Sequence, residues 1–497
     1  MRRNILILVS LAVVIAAGAG YVLADRAADE RLRMALAEAA EELPEDTRLS
    51  YERADANVLE DSARIEGLRL TTETDRAGLV ELQLGTVVLS GYSDAAGGTL
   101  ESADLQDIHF SAMSQEGESA DLTADSLTVR EIALAALLAA VTDLRDDGKL
   151  DNDTLAKLRL KSLAVDGLAA IAPGVNLEIG SLSIEDMGER RTGAVEVRAF
   201  NLTLLDAPEV EPSADEAEED AAEEDAEPES LNIAIAEFRS ENLDHLSLIR
   251  SLEDETLGII NELAGPFASH TELREVTVVL GELRFGYGSF EGDFQDLEDR
   301  QVAEGTMNDF VFEVEGASAD DDEMFEDLKE LGYDKPRFSA SWNVVFEKPE
   351  PLLRMQPFTF SLHDGGDLNL SLVLTPPEGV ENLRDLAQME GYEGFSLHEA
   401  EVEFVNAGLL QRMLRRQAEE NETTRDAVRE DLLRQINLQF EDHQDIAEAL
   451  ETFLHDPRRI SLHIKLPRAV PMEMFAMAML IQPRAIAENA DVTVKAN

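Results

Sequence analysis

VNLEIGSLSI, residues 175–184, decides how this chain is read. Val175, Leu177 and Ile179 alternate with polar neighbours, the period-2 signature of a strand with one covered face. Gly180 then intervenes, and Leu182 and Ile184 resume in the opposite phase. Such a flip would turn the apolar set to the other face of a regular sheet. A glycine at the flip predicts a bend or bulge that re-aims the side chains.

The same pattern stands in LSYERADANVLEDSARIEGLRLTT, residues 49–72, where Gly67 lies between Ile65 and Leu68. Leu49, Tyr51, Ala54, Ala56 and Val58, then Ile65, Leu68 and Leu70, predict two short strands back to back. Further strands are expected over 195–204, 231–236, 276–285, 310–314, 338–346 and 460–466. The clearest hairpin is FTFSLHDGGDLNLSLVL, where Phe358, Phe360 and Leu362 lead into Asp364-Gly365-Gly366-Asp367 and Leu368, Leu370 and Leu372 lead out. One apolar and one polar face imply antiparallel, half-covered sheets. Helical spacing is read over 130–146, 243–264, 323–332, 409–417, 424–436 and 445–454, and in the methionine-rich 472–481.

The fold class that follows is α+β: a single N-terminal transmembrane helix, then an elongated, mostly antiparallel β-rich body with interspersed helices and a helical C-terminal quarter. Ile5–Ala24 carries no charge over about the ~20 residues a helix needs to cross a bilayer. Arg2 and Arg3 precede it and Asp25, Asp29 and Glu30 follow, which orients the N-terminus to the cytoplasm and the body to the periplasm. A cleaved signal peptide ending at Val22-Leu23-Ala24 is the competing reading, and either one exports the body. Residues 206–230, DAPEVEPSADEAEEDAAEEDAEPES, hold no basic residue and predict a disordered acidic linker. The division is then 1–25 anchor, 26–47 juxtamembrane helix, 48–205 β-rich module, 206–230 linker, 231–405 second β-rich module and 406–497 mainly helical region.

Composition narrows the chemistry. Asp and Glu number 103 against 42 Lys and Arg, a net charge of −61 that disfavours nucleic-acid binding. The chain has no cysteine, which excludes disulfides, thiolate metal sites and cysteine catalysis. DLRDDGKLDNDT from Asp143 imitates a calcium loop, but Arg145 and Thr154 stand where ligands are required. Asp320, Asp321, Asp322 and Glu323 read as acids favouring the start of the next helix. The eight histidines form no HxH, HExxH or HxxxH pair, and GxSxG, P-loop and GxGxxG patterns are missing. GYGSFEG, residues 286–292, reads as a loop. No catalytic, cofactor-binding or metal residue is assigned, and no cofactor is expected.

Taken with the basic N-terminus, the apolar segment and the short helix, Tyr51-Glu-Arg-Ala, Asn57-Val58-Leu59, Ser62-Ala63-Arg64-Ile65 and Gly67-Leu68-Arg-Leu70 resemble the opening of the YdgA-like and AsmA-like envelope proteins of Gram-negative bacteria. That resemblance implies inner-membrane anchorage and β-rich periplasmic bodies. In the AsmA-like members it implies apolar-lined grooves linked to lipid movement.

The function expected is non-enzymatic: an envelope protein handling lipid or an envelope partner along a half-apolar sheet. The inner membrane, reached through Ile5–Ala24, is the expected attachment. One alternative is a periplasmic hydrolase with dispersed residues, for which His363 and Asp364 are the candidates. The other is an assembly factor binding proteins through its C-terminal helices, with the soft apolar surface of Met472, Met474, Met477 and Met479 as contact.

Overall fold

The computed structural model describes residues 28–497 apart from short breaks and the longer stretches 206–229, 246–267, 315–322, 388–393 and most of 134–158. Its backbone divides into two compact units. The first takes residues up to 263 plus 277–281, and the second takes 264–276 and 282–497. Nineteen strands run through the described residues.

In the first unit, helix α1 (Ala28–Glu41) precedes β1 (Thr47–Ser50) and β2 (Arg53–Asn57), which both pair antiparallel with β3 (Ser62–Thr74). From β3 the chain is a meander, each strand antiparallel to the next. Its members are β4 (Gly78–Ser93), β5 (Thr99–Met113), β6 (Ser119–Ala133), β7 (Leu160–Ala172), β8 (Val175–Met187), β9 (Arg191–Leu204) and β10 (Leu231–Asp244). Alpha-1 lays Leu32 and Leu36 onto Ala54, Ile65 and Leu89, and Asp29 accepts a hydrogen bond from the Ala56 amide at 2.6 Å.

Each strand from β3 to β10 contains a residue of left-handed backbone. Gly67, Asp107, Gly167 and Ala199 occupy β3, β5, β7 and β9, while Gly91, Glu131, Asp186 and Asn242 occupy β4, β6, β8 and β10. The pairing register does not shift at these residues. Neighbouring strands carry their extra outward residue at the same level, so the insertions cancel. The apolar phase therefore flips on all strands together, and one face stays apolar throughout. Gly67 (φ +60) is one such residue, as its place in the sequence predicts. Gly180 is not left-handed. Its missing side chain makes room for Ala199, whose Cβ would lie 3.0 Å from a Cβ on Gly180.

The second unit is an antiparallel meander of β12 (Leu283–Asp296), β13 (Arg300–Val314), β14 (Arg337–Glu347), β15 (Leu352–Leu362), β16 (Gly366–Thr375), β17 (Ser396–Asn406), β18 (Arg459–Pro471) and β19 (Asp491–Ala496). Strand β11 (His270–Leu280) precedes it, its residues divided between the two units. Here the pairing does shift, at Met307/Phe310, Ser341/Val344 and Met355/Phe358. Pro357, which has no amide hydrogen to donate, sits inside the last of these shifts, the position a sheet interior allows it. The core gathers Phe346, Leu353, Leu374 and Leu397. Helices α2 (Glu323–Glu330), α3 (Leu383–Ala387), α4 (Leu409–Glu420), α5 (Arg425–Gln439), α6 (Gln444–His455) and α7 (Met472–Ile481) fill the connections.

Several expectations are corrected. The chain is not α+β with a helical C-terminal quarter: antiparallel sheet dominates, with β17 leading into α4–α6, β18 lying between α6 and α7, and β19 following α7. No helix among the described residues is long and apolar enough to cross a membrane, so the structure gives no transmembrane helix; Ile5–Ala24 itself lies outside the described residues. Arg130–Ala133 and Leu243–Asp244, read as helix starts, end strands β6 and β10. GYGSFEG is not a loop but the middle of β12, where Phe290 packs 5.7 Å from the Trp342 ring. Gly292 there leaves room for the Phe290 ring and Gly288 for Asp309, and neither makes a turn. Val276–Phe285 is broken at Gly281 (φ +54) into β11 and β12. The acidic stretch 206–229 and the calcium-like loop from Asp143 lie outside the described residues.

The left-handed positions give a direct test. A Cβ on Gly167 (φ +62) would stand 2.6 Å from the Asp125 Cγ. Gly167→Ala is expected to cost about 1–3 kcal/mol by urea denaturation. Ala199→Gly, at φ +51, is expected to cost nothing or to stabilise slightly.

Candidate apolar binding face

Reading across the first unit, the registered partners form unbroken apolar rows. Ile65, Val87, Leu105, Leu127, Val165, Leu182, Val197 and Phe238 face one another in sequence from β3 to β10. Beside them run Ala63, Leu89, Ala103, Val129, Leu163, Ile184 and Val195, with Ser240 on β10. Beyond the first line of kinks the row Leu70, Leu82, Phe110, Leu122, Ala170, Leu177, Leu202 and Ile233 continues the face.

Cover over this face is uneven. Ile65 and Val87 are buried among α1 and the first strands, whereas Leu105, Leu127, Val165, Leu182, Val197 and Phe238 are only half-buried. The polar residues between them point the other way and pair with each other. Thr128 donates to Asp104 at 2.8 Å, Ser126 donates to Asp166 at 2.9 Å, and Arg239 pairs with Glu241 at 2.7 Å. Arg69 bonds Glu81 and holds that carboxyl below the usual carboxylate range. An acidic, ion-paired face thus backs an apolar one.

One buried charge closes the β9–β10 end. Asp244, 2% exposed, accepts from Arg190 at 2.8 and 2.9 Å, and its carboxylate holds the Arg190 guanidinium above its ordinary pKa.

Among the cavities of the second unit, two have mainly apolar walls. One, of about 260 Å³, is walled by apolar side chains of β17–β19 and the neighbouring helices, among them Val402, Phe404, Ile446, Ile464 and Val494. The other, of about 330 Å³, is lined by Phe294, Trp342, Leu353, Leu383 and Phe395, with Asp293 and Glu304 on its wall. Near it, His270, Glu291 and Asp293 bring one ligand atom each within 4.8 Å of the others, a set that could hold a cation. His270 Nδ1 is already engaged by Asp293 Oδ1 at 3.0 Å.

The residues considered for hydrolysis are not assembled. His363 and Asp364 sit in the β15–β16 turn, 74% and 72% exposed, with 3.7 Å between His363 Nε2 and Asp364 Oδ2. The Asp364 carbonyl accepts from Tyr333 Oη at 3.2 Å, and Arg412 lies over that ring at 4.4 Å, so the turn is tied to the segment after α2 and to α4 by structural contacts. The methionine-rich α7 divides: Met472 and Phe475 pack on the Phe346 core, while Met474 and Met477 stay exposed.

A family model described only as "Uncharacterized protein" matches residues 359–497. No curated protein matches the chain. Among solved structures, the chain is similar to LptH of Pseudomonas aeruginosa, the LptA homologous periplasmic component of its lipopolysaccharide transport device. The identity is 11%, the match covers 29% of this chain and 80% of that one, and the TM-score is 0.16. Neither match names the YdgA-like or AsmA-like families.

Arg190→Ala leaves the buried Asp244 carboxylate without its cation and is expected to cost about 2 kcal/mol or more in thermal or urea unfolding. Arg239→Ala, at an exposed pair, is expected to cost under about 1 kcal/mol in the same measurement.

Proposed function

We propose that this protein binds the aliphatic chain of a lipid along the apolar face of its first unit, as a non-enzymatic lipid handler of the cell envelope. The observation that carries the reading is the row from Ile65 to Phe238: apolar on all eight strands and half-buried on six of them. Strands about 4.8 Å apart make such a row a track on the order of 30 Å long, longer than an extended C16 chain. An extended peptide fits it less well. The backbone groups of these strands are already paired in the ladder, so a peptide laid across the face would leave its own amides unmet. An aliphatic chain has no such groups and gains from each methylene removed from water, about 0.8 kcal/mol apiece. Envelope placement belongs to the same proposal. Its support is a cysteine-free chain that needs no reducing compartment and a strongly acidic surface.

The test is solvent extraction of the purified protein followed by mass spectrometry. Wild type is expected to release lipid, Leu182→Asp to release several-fold less, and Ser183→Asp, on the opposite face, to match wild type. Wild-type protein that carries and takes up no lipid, or Leu182→Asp protein that carries as much as wild type, would overturn the reading.

A further inference from the structure

Strand β10 departs from its own pattern near its end. Its inward positions Leu231, Ile233, Ile235 and Phe238 are apolar, and the next is Ser240, 1% exposed. Ser240 pairs with Val195 and so continues the row of Leu163 and Ile184. Its hydroxyl has no hydrogen-bond partner. Past the left-handed Asn242, Leu243 returns inward opposite Thr192, and Thr192 Oγ1 lies 3.1 Å from His245 Nδ1. The His245 ring is 7% exposed, and its Nε2 likewise has no partner.

Of the other buried side-chain atoms without a hydrogen-bond partner, Glu196 Oε1 stands on the opposite face, and Arg429 Nε and His443 Nε2 belong to the second unit. Several buried polar groups are satisfied. Thr47 Oγ1 donates to Thr72 Oγ1 at 3.0 Å, Gln301 Oε1 accepts the Leu383 amide at 2.8 Å, and Asp244 holds Arg190. A buried polar group left without a bond costs more than the bond itself contributes, so two at one end of an otherwise apolar face call for an occupant. A nucleophilic relay is not that explanation. Asp244 is engaged by Arg190 and His245 Nδ1 by Thr192, so no carboxylate orients the imidazole toward Ser240 as such a relay requires.

We propose that Ser240 and His245 hold the oxygen-bearing head of the bound lipid, a carboxylate or an ester carbonyl, at the β9–β10 end of the apolar face. This rests on the aliphatic-chain reading above and adds polarity and direction to it. Burial lowers the His245 pKa, so the ring is neutral. The Thr192–His245 bond can run in either direction; we take the Thr192 hydroxyl as donor to Nδ1, which puts the proton on Nε2 and makes Nε2–H the free donor. The Ser240 hydroxyl is a second. Two donors, beside an aspartate whose charge Arg190 offsets, select acceptor oxygens and disfavour a cationic head.

Binding of three fluorescent probes to the full chain tests this: a pyrene-tailed C16 chain ending in a carboxylate, in a methyl ester or in a plain methyl group. Wild type is expected to prefer one of the oxygen-ended probes, which identifies the head as a free acid or an ester. Ser240→Ala and His245→Phe are each expected to weaken that probe about 5- to 10-fold, the worth of one hydrogen bond, and to leave the methyl-ended probe unchanged. Ser240→Ala removes an unmet hydroxyl at nearly constant volume, so its Tm should equal or exceed that of wild type, which separates lost recognition from lost folding. Equal binding of all three probes by wild type, or undiminished oxygen-ended binding by both variants, overturns the head assignment alone. Failure of all three to bind wild type overturns the aliphatic-chain reading with it.

Discussion

The first unit depends on left-handed residues placed at matching levels on alternate strands, β3, β5, β7 and β9 at one level and β4, β6, β8 and β10 at another. A strand pleat alternates its side chains strictly, and a single inserted residue ordinarily sends every later side chain to the wrong face. Here the insertions occur in step across β3 to β10, so the ladder keeps its register while the apolar phase changes on all strands at once. The backbone conformation this needs is costly for residues other than glycine, yet Asp107, Glu131, Asp186 and Ala199 adopt it. They persist because the neighbouring strands fix them on both sides, and the apolar rows on the far face gain from the alignment that results.

The second unit uses that device at Asp309 on β13, in register with β12, and beyond that pair takes another route. Its strands shift register outright, at Met307/Phe310 and at Met355/Phe358, where Pro357 is accommodated. Shifts of this kind re-aim side chains locally and do not maintain one phase over a whole sheet. Accordingly the second unit encloses discrete cavities, with Phe346 and Leu397 at the centre of its core. The first presents a long, partly covered face. The difference in backbone device matches the difference in what each unit can hold.

How much of this is legible in the sequence follows from which residues announce their conformation. The hairpin Phe358–Leu374 and the phase flips at Gly67 and Gly180 are readable because alternation and glycine are local signals. The lines of kinks are not, because Asp, Glu, Ala and Asn occupy positions equivalent to glycine, and only register aligns them. Helical spacing at 130–133 and 243–244 misleads because short apolar runs fit either period when their length is unknown. Ser240 left one usable trace: it is polar at a position where the phase of Phe238 demands an apolar side chain. His245 left none, since its partner Thr192 lies 53 residues earlier in the chain.

An acidic, ion-paired outer face with apolar rows behind it is an arrangement that lets one sheet be solvated and bind an aliphatic chain at once. The two sides differ by a single step along a strand, as Leu182 and Ser183 do on β8. The absence of native cysteine allows that step to be measured cleanly. An environment-sensitive dye attached to Leu182→Cys, and separately to Ser183→Cys, reports each face as a long-chain lipid is titrated in. The emission of the dye at 182 should shift to the blue on saturation while that at 183 stays fixed. Equal shifts at both positions, or a shift at 183 alone, would contradict a binding face built by in-step kinks.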